Sequence, residues 1–164
     1  MQASNKAAAG ELHLQFQLGD DRYALPAQEV VEVLPLRRLK QVPEAPEWVA
    51  GLFDHRGQVT PVIDLSRRVL GRPALARSST RLVLVRFDRH MGEQSPVLGL
   101  ILEQATDTLR LPAEAFKPSG LEASQPDYLG PLQRDAHGMI QRIDVAGLLD
   151  DEVRALLFRP KAQG

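Results

Sequence analysis

The sequence predicts a mainly β fold built as two similar small barrels that share one hydrophobic core. Apolar residues alternate along residues 12–18, which is the period of a strand with one buried face. Continuous apolar runs at 82–85 and 97–102 are typical of strands covered on both faces. Residues 48–64 and 128–144 have the same length and similar contents, as two copies of one unit would have.

The N-terminal part of the chain is predicted to consist mostly of strands. Residues 12–18 and 22–25 form two strands on either side of a turn at Gly19-Asp20-Asp21, which is a hairpin pattern. One helical turn at 26–30 follows, and an extended stretch at 32–36 comes after it. Strands therefore dominate this half.

A tight turn at Gly57 leads into a further strand. Gly57 supplies the positive φ that a short connection between strands needs, so Arg56 is held at the tip of the turn. Val59, Pro61 and Ile63 then share one face of the strand. Because Pro61 cannot donate a hydrogen bond to a neighbouring strand, we expect this strand at a sheet edge or an irregularity, where a partner can dock.

Each of the two similar segments ends in an Asp that can cap a helix. Asp64 can accept hydrogen bonds from the first turn of a short helix at 65–71, which Gly71 ends. Asp144 can likewise cap a C-terminal helix, whose apolar positions form one stripe of Val145, Leu148, Leu149, Val153, Leu156 and Leu157. Strands are also predicted at 106–111, 128–132 and 139–143.

The similarity of residues 48–64 and 128–144 bears on the architecture. Each segment begins with an aromatic residue, passes a Gly preceded by Arg56 or His137, crosses an apolar strand and ends in Asp. Two such units fit two small barrels that share a core. A one-residue shift between the segments leaves coincidence open as the alternative.

Composition and charge exclude several classes of partner. The 164 residues carry 20 basic and 21 acidic side chains, so a formal charge of −1 provides no field that would attract nucleic acid. The length fits one domain or two small subdomains sharing a core. The absence of cysteine excludes disulfides and is compatible with the cytoplasm. No apolar run approaches the length of a spanning helix, so we expect a cytoplasmic protein without direct membrane insertion.

The ends of the chain differ in composition from its middle. The first residues are small and polar, which predicts a disordered tail at 1–10, and a second tail is predicted at 159–164. The folded domain is expected to cover residues 11–158.

No pattern in the chain indicates catalysis. His13, His55, His90 and His137 are scattered, without the spacing of a zinc site, and there is no nucleophile elbow, Walker loop or dinucleotide fingerprint. We therefore predict a protein that is not an enzyme and holds no metal or cofactor. The alternative is a small-ligand-binding or catalytic β-barrel with a site near His55 and His137, which occupy analogous turns.

Residues 51–65 read Gly-Leu-Phe-Asp-His-Arg-Gly-Gln-Val-Thr-Pro-Val-Ile-Asp-Leu. This segment resembles the signature Gly-Val-x-Asn-Leu-Arg-Gly-x-x-x-Pro-Val-Ile-Asp-Leu of CheW-like coupling domains, which connect bacterial chemoreceptors to a histidine kinase. Asp54 and His55 replace the usual Asn-Leu of that signature. Segments at 23–26, 30–34 and 99–103 add to the resemblance, in the order in which the family has them.

The resemblance implies a fold, two partners and a set of contact residues. The fold would be two five-stranded, SH3-like β-barrels sharing a core. The protein would be a non-enzymatic adaptor between a methyl-accepting chemoreceptor and the regulatory domain of a CheA-like histidine kinase, recruited to membrane-associated receptor complexes. Val30, Glu32 and Arg56 match positions that face the helical-hairpin tip of the receptor, and Gly57 would shape the turn. No kinase-contact residue is assigned.

A finer resemblance concerns the pathway. The segments at 51–57 and 102–110, together with Tyr128-Leu129-Gly130-Pro131, are similar to those of adaptors in Wsp-type surface-sensing systems. Such systems control cyclic-di-GMP synthesis and biofilm formation. The resemblance implies that this protein acts upstream of the nucleotide and does not bind it.

Overall fold

Nine strands and two helices make up residues 10–158, the part of the chain that the computed structural model describes. The strands are β1 (Glu11–Leu18), β2 (Asp21–Pro26), β3 (Val30–Pro35), β4 (Val49–His55), β5 (Gln58–Asp64), β6 (Arg81–Arg86), β7 (Val97–Leu111), β8 (Leu129–Asp135) and β9 (Gly138–Ile143). The helices are α1 (Leu65–Leu70) and α2 (Asp151–Leu157), and four 3₁₀ turns cover Ala27–Glu29, Arg89–Gln94, Ala113–Ala115 and Val145–Leu148. The predicted tails at 1–10 and 159–164 lie outside the described residues, except for Gly10.

The strands form two five-stranded units that share β7. In the central barrel the strand order is β3-β6-β7-β5-β4, and in the terminal barrel it is β7-β1-β2-β9-β8. Along each order the pairings are antiparallel, antiparallel, parallel and antiparallel. The two barrels are therefore built on the same plan, and the predicted mainly β fold is confirmed.

The predicted similarity of residues 48–64 and 128–144 is confirmed as a structural repeat. The amide of Asp64 donates to the Trp48 carbonyl at 2.8 Å, and the amide of Asp144 donates to the Tyr128 carbonyl at 2.8 Å. Matching bridges, Lys40 to Leu52 and Lys117 to Leu132, link the chain ahead of each hairpin to that hairpin's first strand. Coincidence in sequence would not reproduce these backbone contacts.

The buried apolar side chains form one cluster between the two barrels and a smaller cluster inside each barrel. One large apolar cluster lies between the barrels and includes Phe16, Leu100 and Leu148, all 0% exposed. A second cluster around Val62 and Leu84 fills the central barrel, and a third around Ile140 fills the terminal barrel. Because β1, β5, β6, β7 and the C-terminal segment all contribute to the first cluster, the two barrels share one core.

Strand β7 differs from the sequence prediction, which placed separate strands at 97–102 and 106–111. The structure shows a single strand of 15 residues. Its first part pairs with β5 and β6, and its second part pairs with β1. Gln104 has a φ of 54°, and the register against β1 shifts between Gln15 and Gln17. A local irregularity thus lets one strand pass from one barrel to the other without ending.

The C-terminal helix was predicted to begin directly after Asp144, and this predicted start is wrong. Asp144 precedes a 3₁₀ turn and makes no side-chain cap, and Leu149 after that turn is extended, with φ −116° and ψ 130°. The helix begins later, where the Asp150 carboxylate accepts from the Val153 amide at 2.9 Å. The predicted apolar stripe is therefore divided between a turn and a helix, and its member Leu156 remains 38% exposed.

The strand that contains Pro61 is not an edge strand. β5 pairs with β4 along its length and with β7 from Val62 onward, so Pro61 stands just before the second pairing begins. Pro61 itself is paired in register with Leu52, and the register of the hairpin shifts beyond it, between Val49 and Gly51 of β4. The strand is buried continuously from Thr60 to Asp64, so the predicted alternation of two faces is lost, while Val59 is 70% exposed.

The helix predicted after Asp64 is confirmed. The Asp64 carboxylate accepts from the Arg67 amide at 3.1 Å, and Gly71 ends the helix with a φ of 79°. No helix between residues 10 and 158 is long and apolar enough to cross a membrane.

Candidate functional site

The turn between β4 and β5 presents Arg56 to solvent. His55 pairs with Gln58 across the hairpin, so Arg56 and Gly57 are its two central residues. Their φ values are 55° and 85°, and two positive values define the turn type that matches the twist of a hairpin. The Gly57 amide also donates to the Asp54 carboxylate at 2.7 Å. The Arg56 side chain is 78% exposed at this fixed position.

The carboxylate of Glu32 on β3 lies against this turn. His55 Nε2 donates to Glu32 Oε1 at 2.9 Å, and Arg56 Nη2 lies 3.3 Å from the same oxygen. The hydrogen bond from His55, with the nearby guanidinium of Arg56, holds the pKa of Glu32 below its usual value. The structure thus brings together two of the three predicted contact residues, although 24 positions separate them in the chain (56 minus 32).

Val30, the third predicted residue, has a different environment. It is partly buried and packs against the large cluster between the barrels. The register of β3 against β6 shifts between Val30 and Glu32, so the simple alternation of a strand does not hold between them. Val31 and Val33 are instead 38% and 42% exposed. The sequence signal for these exposed side chains was the group of valines in residues 30–33, but it does not reveal which of them faces solvent.

A groove of about 540 Å³ runs beside the hairpin. One side is formed by His55 and the first half of β5, and the other by residues 93–97 and the end of the C-terminal helix at Leu157 and Phe158. The Phe158 ring lies 5.1 Å from that of Phe87, which anchors this end of the chain to the core. The groove therefore lies where the C-terminal segment meets the central barrel, with Val59 exposed on its rim.

The other histidines do not join His55. His137 is exposed in the corresponding turn of the terminal barrel, where its amide donates to the Asp135 carboxylate at 2.8 Å. His13 is 0% exposed inside the terminal barrel, and burial lowers its pKa. Within residues 10–158, no group of three or more His, Cys, Asp or Glu side chains is placed to hold a metal ion. His137 is not among the described residues that line the groove beside His55.

Comparison with known proteins decides the family. The sequence profile of the CheW-like domain matches residues 12–153. The chain belongs to the CheW-like domain family. The predicted resemblance is thereby confirmed, and it covers both barrels and the start of α2.

Individual relatives of this CheW-like domain occur in several bacteria. Chemotaxis protein CheW of Klebsiella aerogenes is 25% identical over 150 residues, which cover 90% of this chain and 87% of that protein. Protein FrzA of Myxococcus xanthus is 32% identical over 120 residues, covering 72% and 71%. The crystal structure of scaffolding protein TtCheW from Thermoanaerobacter tengcongensis has a TM-score of 0.72 at 22% identity and covers 86% of this chain and 88% of that one. This last likeness supports the fold.

Proposed function

We propose that this protein is a non-enzymatic scaffold that couples a methyl-accepting chemoreceptor to a CheA-like histidine kinase. Its membership of the CheW-like domain family supports a role in chemotaxis-type signalling. The observation that carries the proposal is the Arg56 guanidinium, which is 78% exposed at the tip of a rigid two-residue turn. A scaffold of this kind raises the effective concentration of its partners and needs no reaction of its own.

The receptor-facing site is centred on Arg56 and Glu32. A guanidinium has five donors in a planar fork, and the contact with Glu32 uses one of its nitrogens. Because the side chain is 78% exposed, its remaining donors can hold a carboxylate or a carbonyl of the receptor's helical-hairpin tip. Glu32 is 31% exposed and can set the register of that tip through its charge.

Apolar surface next to these charges completes a site for a helical partner. Val33 and Val59 are 42% and 70% exposed, and the groove of about 540 Å³ runs beside the same hairpin. Apolar residues of this groove, such as Val59, Pro61 and Leu157, lie among polar ones, and helix-in-groove recognition combines such apolar contacts with charges at the margin. We include Val30 among the receptor-facing residues because its side chain is partly exposed. It lies at the start of β3, the edge strand that also carries Glu32 and Val33.

The kinase partner and the pathway are the finer parts of the proposal. The regulatory domain of the kinase would bind elsewhere on the barrels, so that both partners are held together at membrane-associated receptor complexes.

Because some segments of the chain are similar to those of Wsp-type adaptors, we propose that the pathway senses surfaces and has cyclic-di-GMP as its output. Deletion of the gene should then change cyclic-di-GMP levels and biofilm mass, and unchanged levels of both would contradict this pathway.

Binding measurements with a charge-reversed hairpin test the coupling role. The full chain is titrated with a soluble receptor hairpin fragment and, separately, with the kinase regulatory domain. Arg56→Glu should weaken receptor binding by about tenfold or more, because a favourable charge contact becomes repulsive. Kinase binding and thermal stability should stay near wild type. Arg134→Glu, on an exposed arginine of β8 in the other barrel, is the matched control and should leave the receptor affinity unchanged.

Two results would overturn the proposal. The folded wild-type protein could bind neither partner, in which case it is not a coupling scaffold. Alternatively, Arg56→Glu could reduce receptor binding, kinase binding and stability together, which would make Arg56 a structural residue and not a receptor contact.

A further inference from the structure

A second groove, of about 860 Å³, lies along α2. It is lined by residues 44–46, which precede β4, and by side chains of α2 together with its cap, Asp150. The groove beside the hairpin is bordered by Leu157 and Phe158 instead, and the two grooves share no lining residue. We call this second surface the α2 groove.

Most of the residues that line the α2 groove are apolar. They are Ala45, Pro46, Val153, Ala155 and Leu156. Val153 is 7% exposed and belongs to the core shared by the barrels, whereas Leu156 is 38% exposed. A partner that covered Leu156 would remove this apolar surface from water, which favours binding.

The charged residues that line the α2 groove are all acidic. They are Glu44, Asp150 and Glu152. The Asp150 carboxylate accepts from the Val153 amide at 2.9 Å, so the start of the helix already uses it. Across residues 10–158, the side chains of Glu44 and Glu152 take part in no hydrogen bond or ion pair. Their charges are therefore free to meet a cationic partner.

The cations close to these acids in the sequence are directed elsewhere. Arg154, the one cation in the sequence of α2, lies over the Phe87 ring at 5.3 Å from its centroid and does not line the groove. Acids in the first turn of a helix are favourable by themselves, and this accounts for Glu152. It does not account for Glu44, which belongs to no helix. The groove thus has a local negative charge, although the whole chain has a formal charge of only −1.

We propose that the α2 groove binds a basic amphipathic helix of a partner protein. The apolar stripe of that helix would cover Leu156, and its lysines or arginines would pair with Glu44 and Glu152. Since α2 has seven residues, it offers a contact of only about 10 Å, and a contact of this size is typical of weak, transient binding. The inference goes beyond the proposed receptor contact and does not depend on Arg56.

A second copy of this chain does not offer such a helix within residues 10–158. The basic residues of α1 are Arg67 and Arg68. Arg67 pairs with Glu47 at 3.5 Å. The Arg68 guanidinium lies 4.9 Å from the ring centroid of Trp48 and 5.1 Å from that of Tyr128. Because both cations of α1 are engaged and α2 is acidic at its start, we assign the occupant to another protein.

The test is binding of a synthetic helical peptide to the full-length protein. The probe is a labelled peptide of about 14 residues, with Leu at positions i, i+3, i+4 and i+7 and Lys beside them. A second peptide has Glu in place of every Lys. Fluorescence anisotropy should show micromolar binding of the Lys peptide, and binding of the Glu peptide should be at least about tenfold weaker. Added salt should weaken binding of the Lys peptide.

Variants locate the peptide on the protein. Glu44→Lys and Glu152→Lys should each weaken binding by about threefold to tenfold, because an attraction becomes a repulsion. Leu156→Gln should weaken it to a similar degree by removing the apolar contact. Asp107→Lys, at an exposed acid of β7, is the matched charge control, and Val59→Gln, on the rim of the other groove, is the apolar control. Both controls should bind like wild type.

Thermal unfolding checks that each variant is folded. The replaced side chains are exposed, so Tm should stay near the wild-type value. If Glu152→Lys disturbs the start of α2, Glu152→Gln removes the charge with less effect on the helix and should still weaken binding, by a smaller factor.

Several outcomes would overturn the inference. Equal binding of the Lys and Glu peptides, or wild-type affinity in both Glu44→Lys and Glu152→Lys, would remove the role of the acids. An equal loss in Asp107→Lys would show an effect of net charge alone, and a loss in Val59→Gln would place the peptide in the other groove. Tighter peptide binding after Arg159→Gln in the full chain would mean that the chain's own basic C-terminal segment competes for the groove. None of these results changes the test of receptor binding through Arg56.

Discussion

Replacement of Leu100 by Ala tests whether the two barrels share one core. Leu100 is 0% exposed on β7, pairs with Val83 and Ile63 on the flanking strands, and belongs to the cluster between the barrels. Truncating a leucine at such a site costs about 2–5 kcal/mol, the sum of lost burial and of the cavity left behind. We expect a loss of about 3 kcal/mol at this tightly packed position, which corresponds to a fall in Tm of roughly 6–12 °C for a chain of this size.

Unfolding by denaturant, followed with two probes, measures this effect. The single tryptophan, Trp48, packs against the same cluster and reports on it by fluorescence, while far-UV circular dichroism reports on all strands. Both midpoints should move together, because loss of the shared cluster removes support from both barrels. Leu121→Ala, at a loop leucine that is 62% exposed, is the control and should change stability by less than about 0.5 kcal/mol.

Two outcomes would refute the reasoning about a shared core. One is a pair of resolved transitions in the wild-type protein, which would mean that the barrels unfold independently. The other is a loss of stability in Leu100→Ala no larger than that in Leu121→Ala.

Two further predictions concern the terminal barrel and the receptor-facing turn. Asp135→Asn removes a paired contact in which both Asp135 oxygens accept from Arg22 at 2.8 Å, and it should cost about 1–3 kcal/mol at neutral pH. The bonds from Arg22 hold the Asp135 pKa below its usual value, so the difference from wild type should be full above about pH 4 and should disappear as the pH falls through the lowered folded pKa, as measured by denaturation at several pH values. A difference that persists at the acidic end would contradict this account. Gly57→Ala and Gly71→Ala both place a Cβ in open space at φ values of 85° and 79°, so each should lose about 1 kcal/mol through backbone strain in thermal unfolding. Only Gly57→Ala should also weaken receptor binding, because only that turn carries Arg56, and equal binding by the two variants would argue against a receptor contact there.

The hairpins and the first helix could be predicted because short-range chemistry determines them. Alternation over residues 12–18 and the turn after them yield β1 and β2, and Asp64 with Gly71 defines α1 at both ends. The same local rules failed at the C-terminus, where Asp144 and Asp150 are equally good caps by residue type. The extended conformation of Leu149 between them, which is set by packing against the shared core, decided in favour of Asp150.

Strand β7 shows a second limit of sequence reasoning. The segments on either side of Gln104 were correctly predicted as strands, but the structure joins them into one continuous strand that contains a positive φ at Gln104. A glutamine gives no sign of that conformation, which is uncommon for residues other than glycine. It is tolerated here because the pairing of β7 with β1 on one side and with β5 and β6 on the other outweighs the local cost.

For the candidate site, the sequence by itself determined that Arg56 stands at the tip of a tight turn, since glycine at position 57 and the flanking strand pattern are local properties. It also determined the mainly β architecture and its internal repeat, because both are written in residue spacing. Only the tertiary structure placed the Glu32 carboxylate against His55 and Arg56, turned Val31 and Val33 outward, and buried His13. These features depend on which distant strands become neighbours, and that is decided by burial in the shared core and not by any short stretch of sequence.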